Sequence, residues 1–292
     1  MTTVYLNGQF LPLEQACVPV LDRGFLFGDG VYEVIPVYGG HLFRLEQHLD
    51  RLEHSLAGIQ LPNPMSYGHW REVLEQLVAR NGNGDQSVYL QVTRGAGPKR
   101  DHAFPDGVPP TVFAMSSPLA PVSGQIMQSG VAAITLPDIR WQLCHIKAIT
   151  LLSNVLSRQQ AVDAGCTEAI LLRDGQVTEG AASNVFIVQS GTLTTPPKGP
   201  LLLPGITRDL ILELAAAHGI PYREAPIPES ALRAAEEVWL TSSTREILPV
   251  TRLDDALVGN GKPGALWARL LALYQDYKQA LREGKVQSRD VG

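Results

Sequence analysis

The chain has 292 residues, 45% of them hydrophobic, and a formal net charge of −5, enough for a large core and for one large or two ordinary domains. It lacks the basic clusters that track a phosphate backbone, which argues against a nucleic-acid partner. Its apolar runs are too short to span a membrane, and MTTVYLNGQF opens a strand rather than a signal segment, so no membrane is expected and the cytoplasm is.

Three widely spaced cysteines, Cys17, Cys144 and Cys166, fit reduced thiols better than a disulfide framework or a zinc site. No metal is expected. Cys144 reads as a small buried apolar side chain.

Val4 to Leu11 alternates around Asn7-Gly8, the strongest short hairpin signal. A second hairpin is expected in Val31 to Phe43, turning at Gly39-Gly40, with Pro36 pointing to an edge or a bulge. Between them DRGFLFGDGVYE, Asp22 to Glu33, places three glycines and two phenylalanines in twelve residues. It reads as a Gly-rich turn, or as backbone packed closely against something.

From Arg44 the period becomes helical through Leu45, His48, Leu49, Leu52, Leu56 and Ile59, with Gly58 and Pro62 marking its end. Arg51 lies on this helix and by itself reads as solvated. A second helix is expected over Tyr67 to Arg80, then a strand over Ser87 to Arg94. The loop GAGPKRDHAFPDG follows, with Lys99, Arg100 and His102. Its positive residues read as solvated, or Arg100 and His102 together could grip a carboxylate. Thr111 to Ser116 is another strand. The Pro/Ser/Gly-rich Ser117 to Gly124 reads as a linker, so the expected division is a small N-terminal α/β domain over 1–118, a linker over 119–124 and a larger α/β domain over 125–292.

In DIRWQLCHIKAIT, Asp138 to Thr150, one lysine, Lys147, sits among Trp141, Leu143, Ile146 and Ile149. Desolvation there would lower its pKa, and a neutral amine forms imines with aldehydes. The plainer reading is a surface lysine lying along an apolar element. Downstream come a helix over Thr150 to Ala164, a strand over Glu168 to Leu172, a turn at Asp174-Gly175, and the block VTEGAASNVFIV. There Glu179 precedes a run of small residues that would admit a flat ring. Strand Asn184 to Val188 follows. Helix Arg208 to His218 begins with Thr207 as the expected N-cap, and strand Glu237 to Leu240 delivers four hydroxyls, Thr241 to Thr244. A last helix is expected over Ala265 to Glu283, followed by a loose polar tail.

A phosphate would be served by the N–H groups of Ile206 and Thr207 at a helix start, by close approach at Gly205, and by the hydroxyl row. Glu179 could hold a protonated ring nitrogen. By spacing alone a sugar-phosphate enzyme or a plain α+β domain remains open.

The run DRGFLFGDGVYE, the helix residues HLDRL (His48 to Leu52), DIRWQLCHIK, VTEGAASNVF and GITRD occur in this order. Together they resemble the fold-type IV pyridoxal-phosphate aminotransferases, and within them the D-amino acid enzymes, from about Tyr5 to Tyr274. The resemblance implies a mixed α/β (α+β) two-domain subunit, pyridoxal 5'-phosphate, and a homodimer with its sites near the interface. It implies ping-pong transfer between a D-amino acid such as D-alanine and a 2-oxo acid such as 2-oxoglutarate.

Residue by residue, Lys147 matches the lysine that binds the cofactor aldehyde and moves the α-proton, and Glu179 matches the partner of the ring nitrogen. Arg51, Ile206 and Thr207 match the phosphate ligands. Ser243 stands where a phosphate-binding threonine is expected. Tyr32 matches a tyrosine beside the substrate carboxylate. Arg100 and His102 match a carboxylate-trapping pair that reaches in from the partner subunit. Lys99, Asp101 and Arg245 depart from the pattern. A branched-chain L-aminotransferase and an aminodeoxychorismate lyase share the scaffold, and a non-catalytic binding module is the alternative from another class.

Overall fold

The computed structural model describes residues 2–82 and 84–286. The described chain divides into two compact units: the first takes residues 2–120, Ile146–Thr150 and residues 280–286, and the second takes Pro121–His145 and Leu151–Gln279.

The first unit contains β1 (Thr3–Leu6), β2 (Gln9–Pro12), α1 (Arg23–Phe27), β3 (Gly30–Tyr38), β4 (His41–Leu42), α2 (Leu45–Gly58), α3 (Tyr67–Arg80), β5 (Gln86–Thr93) and β6 (Thr111–Pro118). Its sheet is antiparallel in the order β2-β1-β6-β5-β3-β4. Both expected hairpins form: Asn7 and Gly8 have φ of 47° and 92°, Gly39 and Gly40 have 60° and 86°, the positive pair that matches the twist of two-residue turns. Pro36 pairs in register with Ser87 on β5, with no bulge, and has no ladder partner on its other side, an edge position as expected. Its other side is tolerant because β4 covers only Val37 and Tyr38, so no ladder bond needs the missing N–H.

The period read from Arg44 onward is a buried stripe on α2 comprising Leu45, His48, Leu49, Arg51, Leu52, Ser55 and Leu56. It packs with Trp70, Leu74 and Leu77 of α3 and with Val31, Ile35, Val88 and Leu90 of the sheet into one core. Two polar members of the stripe, His48 and Arg51, are therefore forced to find partners inside the protein. The stretch read as a Gly-rich turn instead holds the short helix α1, capped by Asp22, which accepts from Gly24 N, and ended by Gly28 at φ 67°.

The second unit contains α4 (Gly124–Ser129), β7 (Val131–Pro137), α5 (Leu152–Asp163), β8 (Glu168–Arg173), β9 (Gln176–Gly180), β10 (Asn184–Gln189), β11 (Thr192–Thr195), α6 (Ile206–Ala217), β12 (Tyr222–Glu224), α7 (Glu229–Arg233), β13 (Glu237–Ser242), β14 (Glu246–Leu253), β15 (Ala256–Leu257) and most of α8 (Ala265–Arg282). Its mixed sheet runs β12-β11-β10-β13-β14-β7-β8-β9, with β15 beside β14. β7 and β14 carry no hairpin signal in the sequence, yet they pair in parallel at its centre, a long-range contact that local pattern does not encode. α6 starts two residues earlier than expected: Gly205, not Thr207, is its N-cap, and no side chain caps it. No described helix is long and apolar enough to cross a membrane. The expected loose tail after α8 falls partly on residues 287–292, outside the described ones.

Leu74 is fully buried between α3 and the rest of the first core. Leu74→Ala should cost about 2–5 kcal/mol of stability, read as a lower urea midpoint with unchanged slope.

Candidate active site

Lys147 belongs to the first unit, where its segment forms a short bridge alongside β3. Its carbonyl accepts from Tyr32 N at 3.0 Å, and Ile149 N donates to Gly30 O at 3.1 Å. Its own N–H donates to the buried Ser55 Oγ on α2 at 3.1 Å. With the backbone held on both sides, the half-buried side chain sets its Nζ 4.1 Å from the centre of the Tyr32 ring, an attractive position for a cation over a π face. The apolar company expected from sequence is only partly there: Ile146 is buried, but Trp141 and Leu143 are 46% and 44% exposed.

Glu33 follows Tyr32 and so points to the opposite face of β3, into the core. There Arg51 Nε and Nη2 donate to its two carboxylate oxygens at 2.8 Å each, and His48 Nδ1 lies 2.7 Å from Oε2. Burial pushes this carboxyl up, but the charge and hydrogen bond of Arg51 and the hydrogen bond of His48 outweigh it and hold Glu33 at about 2. Burial lowers His48, against the pull of Glu33 and with help from the charges of Arg51 and Lys147. Arg51 is thus locked by a two-pronged carboxylate into one orientation.

Arg100 and His102 both lie in the irregular stretch between β5 and β6 and are exposed. They meet on one aromatic ring: the Arg100 guanidinium is 4.9 Å from the centre of Phe27, and the His102 ring is 5.2 Å from it. Lys99 and Asp101 pair with each other at 3.0 Å.

In the second unit Glu179, on β9, is buried and bound by Arg140 through a short Nη1–Oε1 hydrogen bond. Its Oε2 accepts from Leu203 N at 3.0 Å and from Asn184 Nδ2 at 3.2 Å. Arg140 is itself held by Asp138 through Nε at 2.9 Å and Nη2 at 2.8 Å. Burial alone would lower Arg140, but Asp138 and Glu179 reverse that and keep it firmly cationic. Asp138, which burial pushes up, is held below the usual carboxylate range by Arg140 and Thr178. Sequence reasoning misses Arg140. The only signal for it is an arginine beside an apolar stretch that also carries an aspartate two residues earlier.

Ile206 and Thr207 are the first two residues of α6, where N–H groups lack intrahelical acceptors. A Cβ at Gly205 would collide with Asn184 Oδ1, so only glycine lets the helix start approach the side chain that also serves Glu179. Ser243 lies in the turn between β13 and β14, and the neighbouring Thr241 Oγ1 is buried with no hydrogen-bond partner. Arg245 has a defined structural partner: its Nη2 donates to the fully buried Glu168 carboxylate at 2.9 Å. All three cysteines are free, with Cys144 and Cys166 buried.

The first unit thus holds an amine over an aromatic face, and the second holds an arginine-bound carboxylate and a helix start with free N–H groups. Residues 30–253 match the family Amino-transferase class IV, and the chain belongs to that family. It is 42% identical over 263 residues to the D-alanine aminotransferase of Bacillus licheniformis, covering 90% of this chain and 92% of that one. It is 43% identical over 268 residues to the D-alanine aminotransferase of Listeria monocytogenes serotype 1/2a, covering 91% and 93%. Among solved structures it superposes on a branched-chain amino acid aminotransferase from Escherichia coli with a TM-score of 0.88 at 27% identity, covering 100% of this chain and 97% of that one. On the branched-chain amino acid aminotransferase from Thermoproteus uzoniensis with norvaline the TM-score is 0.86 at 27% identity, with 97% of each chain covered. The fold is that of the fold-type IV aminotransferases, as the resemblance implied.

Both His48 and Glu33 have folded pKa values below their ordinary 6.5 and 4.5, so the unfolded chain takes up protons first as the pH falls. Stability is complete above 6.5, His48 weakens it below that, and the Glu33 contribution is lost between 4.5 and about 2. Glu33→Gln should cost about 3–5 kcal/mol at neutral pH, the usual penalty for stranding a buried charge. Urea melts across the acid range should show a flatter loss below pH 4.5 in this variant than in the native chain.

Proposed function

We propose that this protein transfers the amino group of a D-amino acid such as D-alanine to a 2-oxo acid such as 2-oxoglutarate, using pyridoxal 5'-phosphate. The observation that carries the reading is the Lys147 amine, fixed by backbone bonds to Tyr32 and Ser55 and set over the Tyr32 ring. The relatives named D-alanine aminotransferase, at 42% and 43% identity over nine-tenths of the chain, support the D-amino acid over the branched-chain L-amino acids. The two branched-chain enzymes match this fold at 27% identity each.

The residues fit that cofactor. Lys147 supplies the amine for its aldehyde; Glu179, kept anionic by Arg140, supplies an acceptor for a protonated ring nitrogen; and Ile206, Thr207 and Ser243, with the unpartnered Thr241 hydroxyl beside them in sequence, supply phosphate donors. Arg51 is assigned to the phosphate as well, oriented by Glu33. When bound, the cofactor supplies an aldehyde carbon and an electron sink for the substrate's α-carbon.

The chain's own part is proton transfer and positioning. Lys147 Nζ takes the α-proton of the amino acid as a neutral amine and later returns it, so it alternates between base and acid. The Tyr32 ring lies against the Lys147 amine and positions it without donating to it. Tyr32 with Arg100 and His102 fixes the substrate carboxylate, which decides which face of the α-carbon meets the lysine and hence the D configuration. Arg100 and His102 are exposed, and α5 leaves Leu152, Val155 and Leu156 exposed. Both features support a homodimer in which the pair serves the other copy. Free cysteines suit a reducing cytoplasm.

A panel of D- and L-amino acids with 2-oxoglutarate, read as 2-oxo acid formed, tests the reading; turnover confined to branched L-amino acids overturns it. Lys147→Ala should lower transfer by a factor on the order of a thousand and abolish borohydride fixation of the cofactor to the chain. Arg100→Ala should raise KM for D-alanine while leaving the absorbance of bound cofactor intact.

A further inference from the structure

We infer that Arg23 is a positioning residue that sets the Arg100–His102 loop for substrate, an inference that rests on the carboxylate-clamp reading above. The stretch from Arg94 to Pro110 has no helix or strand of its own beyond one bridge at Ala96. An irregular segment of that length would sample many conformations, and a clamp built on it would bind weakly unless something else held it. One buried guanidinium does so. Arg23 Nη1 donates to the carbonyls of Asp101 and Ala103 at 2.5 and 3.2 Å, and Nη2 donates to the carbonyl of His102 at 3.1 Å. Three consecutive carbonyls, flanking and including one of the clamp residues, thus converge on one planar fork. The same guanidinium lies 4.9 Å from the centre of Phe27, the ring that Arg100 and His102 also touch.

Arg23 is in turn fixed from behind. Its Nε donates to Asp29 Oδ2 at 2.7 Å, and its backbone N–H to Gly95 O at 2.9 Å. Asp29 also accepts from Arg94 Nε at 2.8 Å and Nη2 at 3.1 Å. Arg94 reaches the carbonyls of Ile59 and Gln60 after α2 and stacks 3.6 Å from the centre of the Phe104 ring, two residues beyond His102 in the loop. Burial pushes Asp29 up, but the two arginines outweigh it and keep it anionic. The path from α2 through Arg94, Asp29 and Arg23 to the loop carbonyls is made entirely of charge-assisted hydrogen bonds, the short and directional kind. Neither Arg23 nor Asp29 touches the reacting atoms. Their effect passes through the loop.

The test compares Arg23→Met, Arg23→Lys, Arg100→Ala and the double variant R23M/R100A as holoenzymes. Arg23→Met should raise KM for D-alanine roughly tenfold, far more than it lowers kcat, as loss of a buried charged donor to several carbonyls predicts. Trypsin should cut faster after Lys99 and Arg100. In the double variant, R23M should add little to the KM of R100A, because the two act as one unit. Arg23→Lys keeps the buried charge, folds where Met does not, and should show both effects in weaker form, since a single ammonium cannot serve Asp29 and three carbonyls. Unchanged trypsin cleavage and KM in Arg23→Lys and Arg23→Met, or KM effects that multiply independently in the double variant, would overturn the assignment. If Arg100→Ala itself leaves KM unaltered, the clamp reading is what fails; accelerated cleavage in the Arg23 variants then still reports that Arg23 holds the loop.

Discussion

The structure depends on one constraint: a charge kept out of water must be matched by an opposite one. Arg140 on Glu179 is the clearest instance. Desolvation drives a buried carboxylate left alone toward its protonated form. Arg140, itself held by Asp138, gives Glu179 an opposite charge and fixes its orientation. Leu203 N and Asn184 occupy its other oxygen, so both carboxylate oxygens are held in place.

The same arrangement recurs in the first unit with other residues. Glu33 and His48 hold Arg51, and Asp29 holds Arg23 and Arg94. Each charge has a partner drawn from a different element, so the ion pairs also tie elements together: β3 to α2 in one case, α1 and the turn after it to the end of β5 in the other. Such pairs are weak sources of net stability, because desolvation offsets most of the attraction, but they specify one geometry strongly.

Alternation along β3 separates the two kinds of group. Tyr32 faces the amine of Lys147 while Glu33, its neighbour, enters the core to hold Arg51. A one-residue slip in register against β5 would exchange these faces, and eight consecutive residue pairs between the strands, from Gly30↔Thr93 to Val37↔Gln86, prevent it. The hairpin turn at Gly39-Gly40 closes the strand on its other side.

The local code is strong wherever one element suffices. Asn7-Gly8 and Gly39-Gly40 demand positive φ, and the leucine spacing after Arg44 demands a helix with one buried face, so these are readable from the sequence. The family is legible too, but through the resemblance of the motifs around Lys147, Arg51, Glu179 and Ile206–Thr207 and not through their spacing. What the sequence does not tell is which charge meets which. Arg140 and Glu179 are 39 residues apart, and Arg23 and the His102 carbonyl are 79 apart. No periodicity links such positions; only the packed sheet and its crossovers bring them within hydrogen-bond reach. Gly205 as the cap of α6, the helix inside the Gly-rich run at Arg23–Phe27, and the parallel pairing of β7 with β14 have the same origin. Residue types and local turns follow from short-range sterics, whereas partners for buried charge are chosen by the tertiary fold.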